Sequence, residues 1–269
     1  MKVLKEIKCN SWADFKKKIE ALNNKQDYVF RGQNDANWHL ETSLQRFLKR
    51  LGITKPLPLG GIDPVEGLLD KYKKLINKIE KNNIFTSSED FWGIGQHHGL
   101  TTPFLDWTKT VNKAAFFAFS DEILYNNTHS DVAVYALKVK NTHELAENIY
   151  LQNLIKERGE IKIFEGYGFS LVIPNEKLPN SRIDAQDGLF TQISGIDNFG
   201  VDLVSFFEKR IYTVYKLNKP ILYKYIIPRE HYASALKDIY TMSKIDFISI
   251  YPDREGCAKQ VRFEAILGL

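Results

Sequence analysis

The sequence predicts a single α+β domain, a mixed or antiparallel sheet surrounded by helices. Three observations lead there. Runs of β-forming residues such as "YVFRG", "DVAVYALKV" and "ILYKYIIP" are interspersed with amphipathic helical stretches along the whole chain. Hydrophobic residues make up 43% and charged residues 26% of 269, enough to bury a sizeable core. No internal repeat and no low-complexity linker divides the chain.

The elements follow in order. "SWADFKKKIEALNN" reads as a helix capped by Ser11, with Trp12, Phe15, Ile19 and Leu22 on one face. "YVFRG" is a strand, and Phe47, Leu48 and Leu51 mark a short helix stopped at Gly52. "ITKPLPLGGIDP" holds three prolines and two glycines and is a loop. "VEGLLDKYKKLINKIEKNN" is a charged amphipathic helix, and "SSEDFWGIGQHHG" a helix that Ser88 would cap. "LTTPFLDWT" reads as irregular chain held by Pro103, and "KTVNKAAFFAFSDEIL" as a buried helix. After the strand "DVAVYALKV", "NTHELAENIYLQNLIKER" is helical. "FSLVIP" and "SRIDAQDGLFTQI" read as strands flanking a turn. The strand "ILYKYIIP", the helix "REHYASALKDIYTM", a strand "DFISIYP" and the helix "REGCAKQVRFEAIL" complete the chain.

Composition narrows the function classes. A net charge of +4 permits a phosphate-bearing ligand without demanding nucleic acid, and no helix-turn-helix or RNA-binding signature is present. "MKVLKEIKCN" has no apolar core for secretion, and the longest apolar run, "AAFFAF", is too short to span a bilayer. A cytoplasmic protein that engages no membrane is expected. Cys9 and Cys257 lack ligand spacing and are expected as thiols rather than a disulfide.

Three stretches carry chemistry. In "FRGQ", Arg31 offers a planar fork of donors suited to phosphate or carboxylate, with Gln33 beside it. Gly32 permits a turn or the close approach of a ligand. A strand-end arginine in a salt bridge is the structural alternative. "GQHHGLTTPFLDWT" packs His97, His98, Thr101, Thr102, Asp106 and Trp107 into one segment, which either ties down its own backbone or binds something. The adjacent histidines, with no cysteine or HExxH pattern, argue against a metal. A histidine near Asp106 would make a His–Asp dyad, serving as a base or orienting a hydroxyl. In "SRIDAQDGLFT", strand alternation would put Arg182, Asp184 and Gln186 on one face.

Together these stretches resemble the FRG domain family. Its name motif is Phe30-Arg31-Gly32, and its second motif is similar to "QHHGLTTPFLDWTKTVNKAAFFAF". A third resembles "RIDAQDGLF", and the tail "ISIYPDREGCAKQV" is similar to the family's closing segment. The resemblance implies one FRG-type domain over residues 1–269, with core motifs in 26–190 and a C-terminal helix and strand extension, 191–269, packing on it. The family is bacterial and phage-associated, and a toxin or defence setting is implied.

The order of motifs also resembles that of ADP-ribosyltransferases. That likeness implies NAD as substrate, with no tightly bound cofactor, and a protein or nucleic-acid acceptor. It further implies that Arg31 holds a diphosphate, that Thr101 or Thr102 with His97 or His98 contacts the nicotinamide ribose, and that Trp107 or Phe116 packs on a ring. Gln186 stands where that family has a catalytic glutamate, and a neutral carboxamide cannot supply a carboxylate's charge to a developing cation. Transfer or cleavage of NAD is one expectation. A non-catalytic nucleotide-, nucleic-acid- or protein-binding module is the other.

Overall fold

The structure is a computed structural model; it describes residues 3–22, 25–53, 64–79, 87–125, 130–139, 169–172, 181–193, 201–212 and 219–268. The expected α+β architecture is found. The strands are β1 (Leu4–Lys8), β2 (Tyr28–Gln33), β3 (Phe104–Thr108), β4 (Val132–Lys138), β5 (Phe169–Val172), β6 (Gly188–Ile193) and β7 (Leu222–Ile227). They form one seven-stranded sheet in the order β1-β7-β4-β2-β3-β6-β5. It is mixed: β1 runs parallel to β7, and the other neighbours are antiparallel.

The helices are α1 (Trp12–Glu20), α2 (Ser43–Arg50), α3 (Pro64–Ile79), α4 (Ser88–His97), α5 (Val111–Tyr125), α6 (Ser181–Ala185), α7 (Leu203–Phe206), α8 (Tyr232–Ser243), α9 (Phe247–Ile250) and α10 (Arg254–Leu267). Capping explains most of their starts. Ser11 accepts from the Asp14 amide, and Thr42 with Gln45 makes a complete capping box. For α4 the cap is Ser87, paired with Asp90, one residue earlier than expected.

Strand alternation divides the core. On one face Tyr28 and Phe30 of β2 join Phe15, the alanines and phenylalanines of α5, and Leu236, Phe247 and Phe263 from the C-terminal helices. On the other face Val29 joins Leu105, Trp107, Tyr135, Leu189, Phe206 of α7 and Phe207 just after it. A third cluster gathers α2, α3 and α4 over Phe104 and Phe190. The C-terminal part is integral to the fold, because β7 pairs with both β1 and β4.

Three local expectations are corrected, and one strand is added. "FLDWT" is not irregular: it is β3, paired along its whole length with β6. Pro103 masked the strand by ending the polar run directly before it. "SRIDA" is not a strand. It is the short helix α6, ended by Gln186 bonding back to the Arg182 carbonyl and by Asp187 at φ 48°. "DFISIYP" is the helical turn α9, because Asp246 and Ser249 cap it reciprocally. β1 (LKEIK) is charged at three of its five positions on a sheet edge, which hid it from a hydrophobic pattern. The helix expected at 141–158 lies outside the described residues.

Both cysteines are thiols, Cys9 buried and Cys257 exposed. Burial pushes Cys9 up to about 11, which keeps it protonated at neutral pH. Among the described residues, no helix is long and apolar enough to cross a membrane.

Candidate functional site

β2 and β3 share one register pair, Phe30 with Thr108, and part beyond it. Continuing that antiparallel register would set Asp106 against Gly32. Instead the Arg31 guanidinium enters the gap, and its Nη1 donates to the Asp106 carbonyl at 2.8 Å. An arginine thus does the work of a missing ladder donor. The same nitrogen lies 3.5 Å from the Asp106 carboxylate, which is 58% exposed against 17% for the Arg31 side chain. Burial pushes the Arg31 pKa below the ordinary arginine value, against the pull of Asp106, and Arg46 adds to the push. The side chain keeps its charge regardless.

Among the described residues, two buried atoms here lack a protein partner: Arg31 Nε and Gln33 Oε1. They are a donor and an acceptor on the same face of one strand, two residues apart. Gln33 is 4% exposed, and its Nε2 donates to the His39 carbonyl at 3.3 Å. Buried polar groups are normally satisfied, so an orphan donor beside an orphan acceptor marks a place suited to a ligand carrying both kinds of group.

Asp106 is anchored from the other side. Gln96 Nε2, on α4, donates to its carboxylate, and Thr102 Oγ1 donates to Gln96 Oε1. Thr102 is fully buried; its amide donates to Ser43 Oγ at 2.9 Å and its carbonyl accepts from the Leu44 amide at 3.1 Å. The chain therefore links α2, α4, β3 and β2 through Thr102, Gln96, Asp106 and Arg31. Gln96 was not singled out in the sequence, because nothing in its spacing distinguishes it from any polar residue in a last helical turn.

Gly32 serves packing. A Cβ there would lie 1.9 Å from the Ala114 carbonyl oxygen and 2.6 Å from the Ala118 nitrogen, so its bare Cα lets α5 lie against β2. His98 is the exposed C-cap of α4, and Gly99 follows at φ 86°, the left-handed closure that favours glycine. His97 closes α4, and its side chain lies outside the described residues. Thr101 is half-buried. Trp107 is core, its Nε1 donating to Thr191 Oγ1 at 2.9 Å. Phe116 is core too, packed edge-on to Phe247 at 5.1 Å.

The third stretch is occupied elsewhere. Arg182 Nε bonds Asp253 at 2.5 Å, its Nη2 bonds Glu255 at 2.6 Å, and its guanidinium lies 5.1 Å from the Tyr251 ring centre. This clamp holds the start of α10. Gln186 Nε2 donates to the Ile250 carbonyl at 3.2 Å, in the cluster that carries Phe30 rather than on the face of Val29 and Gln33. Arg31, Gln33, Gln96, Thr102 and Asp106 are brought together; Arg182 and Gln186 belong to a second centre. Gln186→Glu is expected to cost about 1–2 kcal/mol in urea unfolding, because it sets a carboxylate against a carbonyl and removes a donor.

Hydrogen bonding to Arg182 holds the Asp253 carboxyl below its usual value, and bonding to Lys259 and then Arg182 does the same for Glu255. A depressed carboxyl pKa stabilises the fold above the unfolded value and loses that effect as pH falls through the folded one. Arg182→Met should therefore lower Tm by a few degrees at neutral pH, and the difference from wild type should shrink as pH falls below the ordinary carboxylate range.

Residues 26–127 match the family model of the FRG domain. The match takes in β2, α2, α3, α4, β3 and α5, hence Arg31, Gly32, Gln96, Thr102 and Asp106, and stops before Arg182 and Gln186. No curated protein and no solved structure matches the chain significantly, so the likeness to ADP-ribosyltransferases rests on motif order alone.

Proposed function

We propose, from the FRG domain over residues 26–127, that this chain binds a nucleotide, with NAD as candidate substrate, at the gap where β2 and β3 part. The observation that carries the reading is the buried Arg31 guanidinium. Its Nε has no protein partner, and its facing carboxylate is more than half exposed. An exposed carboxylate compensates a buried charge poorly, and a ligand phosphate that accepts from the unpaired Nε would compensate it well. Gln33 Oε1 would accept from a ribose hydroxyl or base amine of the same ligand.

On this reading the acid–base role passes from Gln186 to Asp106. Asp106 is the carboxylate beside Arg31, and Gln96 fixes its direction. Nicotinamide cleavage or ADP-ribosyl transfer would use that carboxylate against the developing ribosyl cation. The setting implied by the family resemblance, a cytoplasmic effector in a bacterial toxin or defence system, is compatible with this chemistry.

A non-catalytic module is the second reading. It is favoured by the placing of Gln186, whose carboxamide is committed to Ile250. Calorimetry with NAD, together with an assay for released nicotinamide, tests both. Binding with release supports the enzyme, and Asp106→Asn should then abolish release while binding persists. Binding without release supports the module. No heat with NAD, ADP-ribose or AMP would overturn nucleotide binding altogether.

A further inference from the structure

A second guanidinium stands beside Arg31. Gln33 Nε2 donates to the His39 carbonyl at 3.3 Å, and that carbonyl also accepts from the Glu41 amide at 2.9 Å. The Glu41 carbonyl in turn accepts from Arg46 Nη1 at 2.6 Å. From the other end, the Ser43 hydroxyl accepts from the Thr102 amide at 2.9 Å, and Thr102 leads through Gln96 to Asp106. The start of α2 is thus tied to Gln33 on one side and to the Asp106 relay on the other, and it carries Arg46 beside the gap between β2 and β3. The Arg46 charge adds to the downward push on the Arg31 pKa, as a like charge at close range does.

The two guanidiniums share too little negative charge. Among the described residues, Asp106 faces Arg31, Glu41 pairs with Lys49, and Asp202 faces His39 at 3.4 Å. Arg46 is exposed and, among those residues, has no carboxylate partner; its Nη1 has only the Glu41 carbonyl. A diphosphate offers what this pair lacks. It carries two linked anionic groups, each able to accept from a planar fork, and it turns the repulsion between the forks into attraction. A single phosphate held by Arg31 Nε leaves Arg46 to water.

We propose, resting on the nucleotide reading above, that Arg46 is the second anion-binding residue of this site and that Arg31 and Arg46 together select a nucleotide diphosphate over a monophosphate. One phosphate lies at Arg31 Nε and its neighbour at Arg46, whose exposure leaves the rest of its guanidinium open to a ligand.

Calorimetry of the full chain with ADP-ribose and with AMP, which carry similar net charge at neutral pH, separates recognition of a pyrophosphate from general attraction to anions. Wild type is expected to bind ADP-ribose at least about tenfold more tightly than AMP. Arg46→Gln, an exposed change that should leave Tm within about 2 °C of wild type, is expected to weaken ADP-ribose about tenfold and AMP less than about twofold. Arg46→Lys keeps the charge without the fork and should weaken ADP-ribose about threefold, which gives the same comparison if Arg46→Gln does not fold. Three results would overturn the role of Arg46 and leave nucleotide binding standing: equal affinity of wild type for the two ligands, wild-type affinity for ADP-ribose in both variants, or an equal loss for both ligands. Failure of wild type to bind either ligand would overturn nucleotide binding itself, and the role of Arg46 with it.

Discussion

Gly32→Ala is expected to unfold the protein or leave it barely stable. The added methyl group would meet two backbone atoms of α5, the Ala114 carbonyl oxygen at 1.9 Å and the Ala118 nitrogen at 2.6 Å. Side chains can rotate away from a clash, but these atoms cannot without moving the helix. Helix α5 also carries Ala114, Ala115, Phe116, Ala118 and Phe119 of the principal core cluster, so displacing it loosens the centre of the molecule. The cost should reach or exceed the ~3 kcal/mol upper end of ordinary overpacking. Total stabilities are about 5–15 kcal/mol, so that is a large share. Equilibrium urea unfolding checks it: a wild-type midpoint in Gly32→Ala would mean that α5 does not rest on this glycine. The middle of the "FRG" motif is thus accounted for by packing.

Arg31→Ala is expected to do two things at once. It deprives the Asp106 carbonyl of its donor, a loss of about 0.5–1.5 kcal/mol for a solvent-exposed hydrogen bond, and it removes the proposed anion partner. Arg31→Lys separates the effects. An ammonium keeps the charge and can still donate to the carbonyl, but it lacks the planar fork and the Nε. The lysine variant should fold with a Tm within a few degrees of wild type and bind NAD at least about tenfold more weakly. Equal affinity in the two proteins would make Arg31 a purely structural residue. A collapse of Tm in Arg31→Lys would show that the gap cannot be probed apart from the fold.

Much of the sheet was legible because its central strands are strong β formers bounded by breakers. β2, β4 and β7 are found where their residues predict them. The large helices were legible from their caps and periodic apolar faces, as α1 shows with Ser11 and Trp12, Phe15 and Ile19. What failed was short-range geometry decided by one or two side chains. Asp246 with Ser249 turned a β-like run into α9. Asp187, tolerating a positive φ, closed α6 directly before β6. That misreading carried a functional consequence: Arg182, Asp184 and Gln186 all share one face only if their segment is a strand, whereas here Arg182 and Gln186 are spent on Asp253 and Ile250, away from Arg31.

Half of the candidate site was legible. Arg31 stood out as a charge at the end of an apolar strand and Asp106 as one of the hydrogen-bonding side chains of its segment, and they meet. Their junction depends on β2 and β3 parting after a single register pair, a long-range fact that local sequence does not contain. Thr102 was noticed for its hydroxyl, yet that hydroxyl serves Gln96 and through it Asp106. The orphan atoms of Arg31 and Gln33 follow from packing alone, because burial is what removes water from them.

The central claim is that Arg31 presents a free donor to a nucleotide. It is tested most directly by following the Arg31 Nε–H resonance in a nitrogen-15 NMR titration with NAD, assigned by its disappearance in Arg31→Lys. That signal should move saturably with added nucleotide, and resonances of the Gln33 side-chain amide should move with it. A stationary Arg31 signal, while signals elsewhere in the protein shift on binding, would contradict the claim.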